Sequence, residues 1–154
     1  MNNKTFLCQD FISQNSLDFF ILTETWITPD NLTSLIEATP PNFTDLHQPQ
    51  LSGRGGGVAV IYKEDFKCTP ITFSPFSSFE HLAFIIKLKD PVLILVIYRP
   101  PRHNTAFIEE FSEFLSHFIC KYDRILILGD FNVHVCCPSR PMTDDFIKTL
   151  NPLN

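Results

Sequence analysis

The sequence has few charged residues and no excess of basic ones. Asp, Glu, Lys and Arg make up 19 % of its 154 residues, and the formal net charge is −5. Proteins that bind polyanions in general usually carry a basic excess, so the charge argues against that class. It is compatible with a nuclease that has an acidic metal site and basic loops elsewhere. The 44 % of hydrophobic residues excludes a disordered chain and suffices for the core of one domain, expected over residues 1–154.

Long hydrophobic runs are also missing. The longest, Val92 to Tyr98, is far too short to span a bilayer. The amino-terminal MNNKTFLCQDF has no long apolar segment, which argues against a signal peptide. These absences predict an intracellular protein, nuclear or cytoplasmic, that has no membrane partner.

The number of cysteines is odd, five in all, so they cannot all pair in disulfides within the chain. Cys8, Cys68 and Cys120 each stand alone in an apolar segment, which predicts reduced thiols in the core of an intracellular protein. The Cys136–Cys137 pair lies near a histidine and is a candidate for metal binding. The sequence has no second Cys/His cluster that would complete a zinc site, so this interpretation is disfavoured.

What the sequence does have is an alternation of strand and helix patterns without repeats, which indicates an α/β fold. Strands are predicted over residues 17–22, 58–62, 68–73, 81–87, 92–98 and 124–128, and helices over 5–13, 28–37, 104–121 and after Asp144. The motif TPDN predicts the start of the second helix, with Thr28 as its cap and Pro29 at its first position. Strands 81–87 and 92–98 are predicted to form a hairpin. Strand, helix and strand over 92–128 predict a parallel crossover unit.

Three apolar strands end in polar residues of the kind that active sites use. Glu24 follows FFILT, Tyr98 and Arg99 follow VLILVI, and Asp130 and Asn132 follow ILILG. If these strands share one sheet, the residues converge at its carboxyl edge, where ligand sites of α/β sheets lie. Carboxylates, an amide and a phenol suit Mg²⁺ and a phosphate.

Each of these residues alone also fits a structural role. Glu24 can be a surface acid before a buried Trp26, Tyr98 an aromatic residue before a rigid turn, and Asp130 and Asn132 ordinary turn residues. The combination of all three strand ends favours the functional interpretation.

The segment GRGGGVAV, which begins at Gly53, is only superficially similar to a phosphate-binding loop. It lacks the Lys-Ser/Thr ending of a P-loop, and it precedes a strand where a dinucleotide-binding loop would precede a helix. A tight turn into the following strand is the favoured role, with Arg54 as a candidate phosphate contact.

The motifs LTETW, GRGGGVAV, IYRPP and LILGDFN, in this order, resemble the endonuclease/exonuclease/phosphatase superfamily, and most of all its non-LTR (LINE-type) retrotransposon endonucleases. The resemblance runs from about Asn2 to His134. It implies a four-layer α/β sandwich, in which two facing β-sheets are flanked by helices. It also implies metal-dependent hydrolysis of a phosphodiester, in which DNA is the partner and is nicked. A full-length parent protein would contain a possible reverse transcriptase domain as well.

Carried over residue by residue, the resemblance implies that Glu24 and Asp130 are ligands of Mg²⁺ (or Mn²⁺). Asp130 would also orient the attacking water, Asn132 would hold the phosphate, and Tyr98 would hydrogen-bond it. Arg99, like Arg54, is a candidate substrate contact.

The sequence also departs from the family pattern at both ends. The family has an asparagine in a strand before the first helix and an Asp-His pair at its end, whereas residues 135–154 contain no histidine. The expectation is an incomplete domain, truncated at both ends, with impaired turnover. Two alternatives stay open: an inactive α/β remnant that acts at most as a binding module, and a member of the family's phosphatase branch.

Overall fold

The computed structural model describes residues 4–50, 55–101, 105–136 and 141–150. These residues form seven strands and four helices, which are, in chain order, α1 (Thr5–Gln14), β1 (Phe19–Thr23), α2 (Thr33–Ala38), β2 (Phe43–Gln48), β3 (Val58–Lys63), β4 (Cys68–Ile71), β5 (Glu80–Ile86), β6 (Val92–Tyr98), α3 (Phe107–Ile119), β7 (Ile125–Asp130) and α4 (Pro141–Leu150). No helix in these ranges is long and apolar enough to cross a membrane.

The strands form two sheets. The three-stranded sheet has the order β1-β3-β2 and is antiparallel throughout, and the four-stranded sheet has the order β4-β5-β6-β7. In the four-stranded sheet β5 and β6 form the predicted hairpin, while β6 and β7 run parallel, as the crossover pattern predicts. Both predictions are confirmed.

The two sheets pack face to face. Val58 and Val60 of β3 share one buried cluster with Phe84 of β5 and with Ile94 and Val96 of β6. Because neighbouring side chains in a strand point to opposite faces, the remaining apolar residues of the sheets point outward. The interface between the sheets is therefore an apolar core that joins β3 to β5 and β6.

Helices cover the outer face of each sheet. Phe111, Phe114 and Phe118 of α3 pack with Leu93 and Leu95 on the four-stranded sheet. On the other side, residues of α1 and α2 pack against the outward side chains of β3, as shown by the cluster of Ile12, Leu35, Ala38, Ala59 and Ile61. The order helix, sheet, sheet, helix is the four-layer α/β sandwich that the sequence predicts, and the fold prediction is confirmed.

Several local predictions are wrong. The TPDN segment is a turn closed by a hydrogen bond from Asn31 N to Thr28 O (3.0 Å), so Thr28 is no cap and α2 begins only at Thr33. The strand β2 was not predicted, because its sequence FTDLHQ is too polar to give an apolar pattern. Cys120 is exposed, since it follows the last residue of α3, whereas Cys8 and Cys68 are half-buried free thiols.

Candidate active site

The three strand ends meet, but they come from two sheets. Tyr98 and Asp130 are register partners at the carboxyl ends of the parallel strands β6 and β7. Glu24 follows β1, which belongs to the three-stranded sheet, so the expectation of a single shared sheet is wrong. The residues converge nevertheless, because the sheets face each other: the Tyr98 hydroxyl donates a hydrogen bond to Glu24 Oε1. This contact brings Glu24, which follows the first of the three strands, next to the ends of the other two strands.

The backbone around Glu24 has an unusual shape that a glycine-rich loop supports. Glu24 and Trp26 have φ angles of 53° and 60°, in the left-handed region that side chains disfavour. Thr25 N donates to Gly57 O (3.1 Å), and Trp26 N donates to Gly56 O (2.9 Å). A Cβ on Gly57 would lie 2.4 Å from Thr25 Oγ1, so this close approach requires glycine. The GGG segment therefore acts structurally, as the sequence suggests, while Gly53 and Arg54 lie outside the described residues.

Glu80 is a member of the site that the sequence motifs did not identify. It opens β5 directly opposite Tyr98, and its Oε2 accepts a hydrogen bond from Gly57 N. Burial raises the pKa of Glu80, although the hydrogen bond from Gly57 acts in the opposite direction. The signal for it was present in the hairpin pattern, because extending the predicted 81–87 strand by one residue places an acid across from Tyr98. Glu80 thus ties the glycine loop to the four-stranded sheet.

Asp130 and Asn132 lie in a turn held by backbone contacts. Asn132 N donates to Asp130 Oδ1 (2.9 Å), and Asn132 Nδ2 donates to Arg99 O (2.7 Å). Asn132 has φ 47°, a conformation that asparagine tolerates better than most residues. Both side chains are exposed, as is that of Glu24, so all three are open to a substrate.

Arg99 braces this turn from within. It is only 2 % exposed, its Nη1 donates to the carbonyls of Phe131 (3.3 Å) and Asn132 (3.2 Å), and its guanidinium lies 5.0 Å from the centre of the Phe107 ring. A planar guanidinium suits such a bridge between carbonyls and an aromatic face. The structure therefore places Arg99 beneath the site, where it holds the Asp130–Asn132 turn.

The field at the site is negative and keeps Tyr98 protonated. Burial, the hydrogen bond to Glu24, and the charges of Glu24, Glu80 and Asp130 all raise the pKa of Tyr98. A phenol in this setting donates a hydrogen bond and does not ionise near neutral pH. The carboxylates make the same edge attractive to a hard cation.

The donor set fits Mg²⁺ better than zinc. Within the four described ranges, no group of three or more His, Cys, Asp or Glu side chains is close enough to hold a metal alone. Cys136 is exposed, and Cys137 lies outside the described residues. Mg²⁺ needs only one or two carboxylates, because water and substrate phosphates complete its shell. Glu24 and Asp130 provide two such carboxylates, and the charges of both act on Tyr98.

Comparison with known proteins identifies the family of the chain and structures that share its fold. A sequence profile described as "Endonuclease/Exonuclease/phosphatase family" matches residues 2–146. The crystal structure of the AP endonuclease LMAP from Leishmania major superimposes with a TM-score of 0.70 at 13 % identity, over 99 % of this chain and 62 % of that one. The endonuclease domain of TRAS1, a telomere-specific non-LTR retrotransposon, gives a TM-score of 0.69 at 12 % identity, over 95 % and 64 %.

A third similar structure is that of ANGEL2, a 2′,3′-cyclic phosphatase, with a TM-score of 0.60 at 17 % identity over 91 % of this chain and 45 % of that one. No curated protein matches the sequence. The chain spans less than two thirds of the length of the AP endonuclease and of the TRAS1 domain. At these identities the structures show a shared fold, and the profile match shows the family.

Proposed function

The chain belongs to the endonuclease/exonuclease/phosphatase family, and we propose that it is a metal-dependent phosphodiesterase that nicks DNA, of the retrotransposon endonuclease type. The observation that carries the proposal is the hydrogen bond between Tyr98 and Glu24, which joins the two sheets beside Asp130 and Asn132. A structural role for each residue alone does not explain why four polar groups from three separate motifs meet at one edge.

The chain's own residues divide the work as follows. Glu24 and Asp130 would hold Mg²⁺ or Mn²⁺, and Asp130 would orient the attacking water. When bound, such an ion polarises the phosphate and lowers the pKa of water. The Tyr98 hydroxyl, which stays protonated because its pKa is raised, would turn its single proton from Glu24 to the phosphate as charge builds on it. Asn132 uses one amide N–H on Arg99 O and keeps a second N–H for a phosphate oxygen.

The two remaining candidate residues, Arg99 and Arg54, have different proposed roles. Arg99 acts through the turn that it braces, and a direct contact with substrate is not needed for that role. Arg54 as a phosphate contact stays a prediction. Impaired turnover likewise stays a prediction.

A plasmid-nicking assay with Mg²⁺ tests the proposal. The Asp130→Ala variant is expected to lose nicking at least 100-fold, because Asp130 orients the nucleophile. Asp123→Ala is the matched control, since this exposed acid precedes the opposite end of β7 and is expected to nick like the wild type. Equal nicking by wild type and Asp130→Ala would contradict the proposal, and a wild type without activity would favour the binding-module alternative.

Calorimetry tests the metal assignment separately. The double variant Glu24→Gln, Asp130→Asn is expected to lose Mg²⁺ affinity while its fold, followed by circular dichroism, is kept. An unchanged affinity would refute the role of these two carboxylates.

The phosphatase alternative is supported by the likeness to ANGEL2, a 2′,3′-cyclic phosphatase. A panel of plasmid DNA and a nucleoside 2′,3′-cyclic phosphate separates the two functions. Cleavage of the cyclic phosphate without nicking would replace the endonuclease assignment by the phosphatase one.

A further inference from the structure

Trp26 is an exposed indole next to the candidate active site. It is the only tryptophan in the sequence, its exposed fraction is 53 %, and it lies two residues after Glu24. A large apolar side chain left in solvent forgoes the stabilisation that burial would provide. Its position beside the carboxylate that contacts Tyr98 distinguishes it from exposed apolar residues on α1, such as Phe6 and Leu7.

The backbone of Trp26 is held in place and not left free. Its φ of 60° is unfavourable for a bulky side chain, and the hydrogen bond from Trp26 N to Gly56 O holds it there. Gly56 in turn leaves room for the Glu80 carboxylate, because a Cβ on Gly56 would lie 2.4 Å from Glu80 Oε1. A disfavoured backbone conformation that the surroundings enforce is typical of functional positions.

The indole lies beside Gly55 and has open surface. A Cβ at Gly55 would be 3.9 Å from Trp26 Cζ2 and 4.0 Å from Cε2, so this residue touches the indole without covering it. Within the described part of the chain, the indole makes no hydrogen bond and no contact with another ring. An aromatic surface of this kind is available to a planar ligand.

The distance to the reacting groups fits one neighbouring nucleotide. The Cα atoms of Glu24 and Trp26 are at most about 7 Å apart, since two extended residues span no more. Stacked bases along one DNA strand are about 3.4 Å apart. A phosphate bound beside Glu24 would thus have its own base or the adjacent one near the backbone of Trp26, from which the exposed indole extends.

We propose that Trp26 is a stacking platform for an unpaired base next to the scissile phosphate. The proposal rests on the proposed function in that the ligand is a nucleic acid strand. The net charge of −5 gives little general attraction for phosphates, whereas stacking on an aromatic ring adds affinity that depends on the base and not on charge. The substrate is therefore inferred to be a strand with at least one base out of the duplex stack.

The single tryptophan makes this interaction directly observable. The wild type is titrated with a 10-nucleotide single-stranded DNA in EDTA, so that no hydrolysis interferes. We expect quenching of Trp26 fluorescence. The same oligonucleotide with abasic sites keeps its phosphates but is expected to bind about 10-fold more weakly and to quench little.

Variants give a second measurement, by anisotropy of a labelled oligonucleotide. Trp26→Ala is expected to raise the Kd about 10-fold, while Trp26→Phe keeps most of the affinity because the smaller ring still stacks. Phe6→Ala is the matched control: it removes a side chain that is 75 % exposed on α1, and the Kd is expected to stay unchanged. Mg²⁺ calorimetry on Trp26→Ala checks that Glu24 is still in place.

The outcomes separate this inference from the proposed function. Equal binding of abasic and normal DNA, equal binding by Trp26→Ala, or no binding of any oligonucleotide overturns the platform. Base-dependent binding by a protein that does not nick supports the platform and refutes the hydrolysis. An RNA strand of the same sequence forms a further arm, and tighter binding of RNA would overturn DNA as the source of the base.

Discussion

Glu24 and Trp26 reach the site from the three-stranded sheet, whereas Tyr98, Asp130 and Asn132 reach it from the four-stranded sheet. The four-stranded half packs against the phenylalanine cluster of α3, and its Asp130–Asn132 turn is held by the buried Arg99. In the three-stranded half, the carbonyl oxygens of Gly56 and Gly57 hold the segment 24–26, in which Glu24 and Trp26 have left-handed backbone conformations. We infer from this difference that the four-stranded half is the rigid half, to which the proposed phosphate contacts belong. The three-stranded half is a shaped loop that adds a carboxylate and an aromatic surface.

Gly129→Ala is expected to have the largest effect, because it disrupts the pairing of β7 with β6 in the rigid, four-stranded half. Gly129 has φ 134°, and a Cβ there would lie 1.8 Å from Ile97 O. Since the obstacle is backbone of the neighbouring strand, we expect a loss of at least about 3 kcal/mol in the free energy of unfolding, or failure to fold. Urea denaturation followed by circular dichroism measures it.

Gly55→Ala is the control for that experiment. Gly55 also has a positive φ (84°), but a Cβ there would meet only the Trp26 ring at 3.9 Å. The expected cost is about 1–2 kcal/mol, from the backbone conformation alone. Similar losses for both variants would mean that the β6–β7 junction is not especially rigid.

Tyr98→Phe should cause the next largest effect, since it cuts the contact between the halves while leaving the ring in place. We expect nicking to fall about 100-fold with little change in stability. Tyr62→Phe is the matched control: this buried tyrosine of β3 pairs with Phe19, at the end of β1 that is remote from Glu24. Loss of nicking in both variants, or in neither, would contradict a special role for the Tyr98 hydroxyl.

The third prediction concerns the pH dependence of the free energy of unfolding, and it involves only the rigid, four-stranded half. Burial lowers the pKa of His81 to about 4, and its ring packs against Phe114 in the phenylalanine cluster. Between pH 6.5 and 4 the unfolded chain binds a proton at this residue that the folded chain does not, so stability falls as the pH falls. The slope is up to about 1.4 kcal/mol per pH unit.

His81→Leu should remove this slope in urea titrations at pH 6.5, 5.5 and 4.5. His117→Gln, on the exposed side of α3, is the control that should keep it. The burial of Glu80 raises its pKa and opposes the trend, so the difference between the two variants, and not the wild-type slope, isolates His81. Parallel slopes in both variants would refute the assignment.

The smallest effect is expected at Asn132, where conformation and side chain can be separated. Asn132→Gly keeps the left-handed turn at little conformational cost, while Asn132→Ala should be about 1 kcal/mol less stable because of its φ of 47°. Both should lose nicking, because both lose the amide. Equal stability of the two variants would show that the turn adapts to the side chain of alanine at position 132.

Much of the fold follows from local patterns. The apolar runs of β3, β6 and β7 and the apolar period of α3 identify the elements, and the crossover rule gives the parallel pair β6–β7. The strand β2 was missed because its edge position allows a polar sequence. The turn at Thr28 was misassigned because the residues that start helices also close turns.

The site was predicted only in part, for a geometric reason. Polar residues after apolar strands identify Glu24, Tyr98, Asp130 and Asn132 as candidates. That Glu24 approaches from the facing sheet depends on sheet packing, which no local pattern encodes. Glu80 was missed because its strand was predicted to begin one residue later, at His81. Its hydrogen bond to Gly57, 23 residues earlier in the chain, is not encoded in the strand pattern.

The hydrogen bond between Glu24 and Tyr98 joins residues 74 positions apart. The β5–β6 hairpin closes a short loop and can form quickly, whereas a contact across so much chain must wait until both sheets exist. The site is therefore expected to form late in folding, after both sheets have docked. Any stability that is lost by substitution at this contact should then appear as faster unfolding, with the folding rate nearly unchanged.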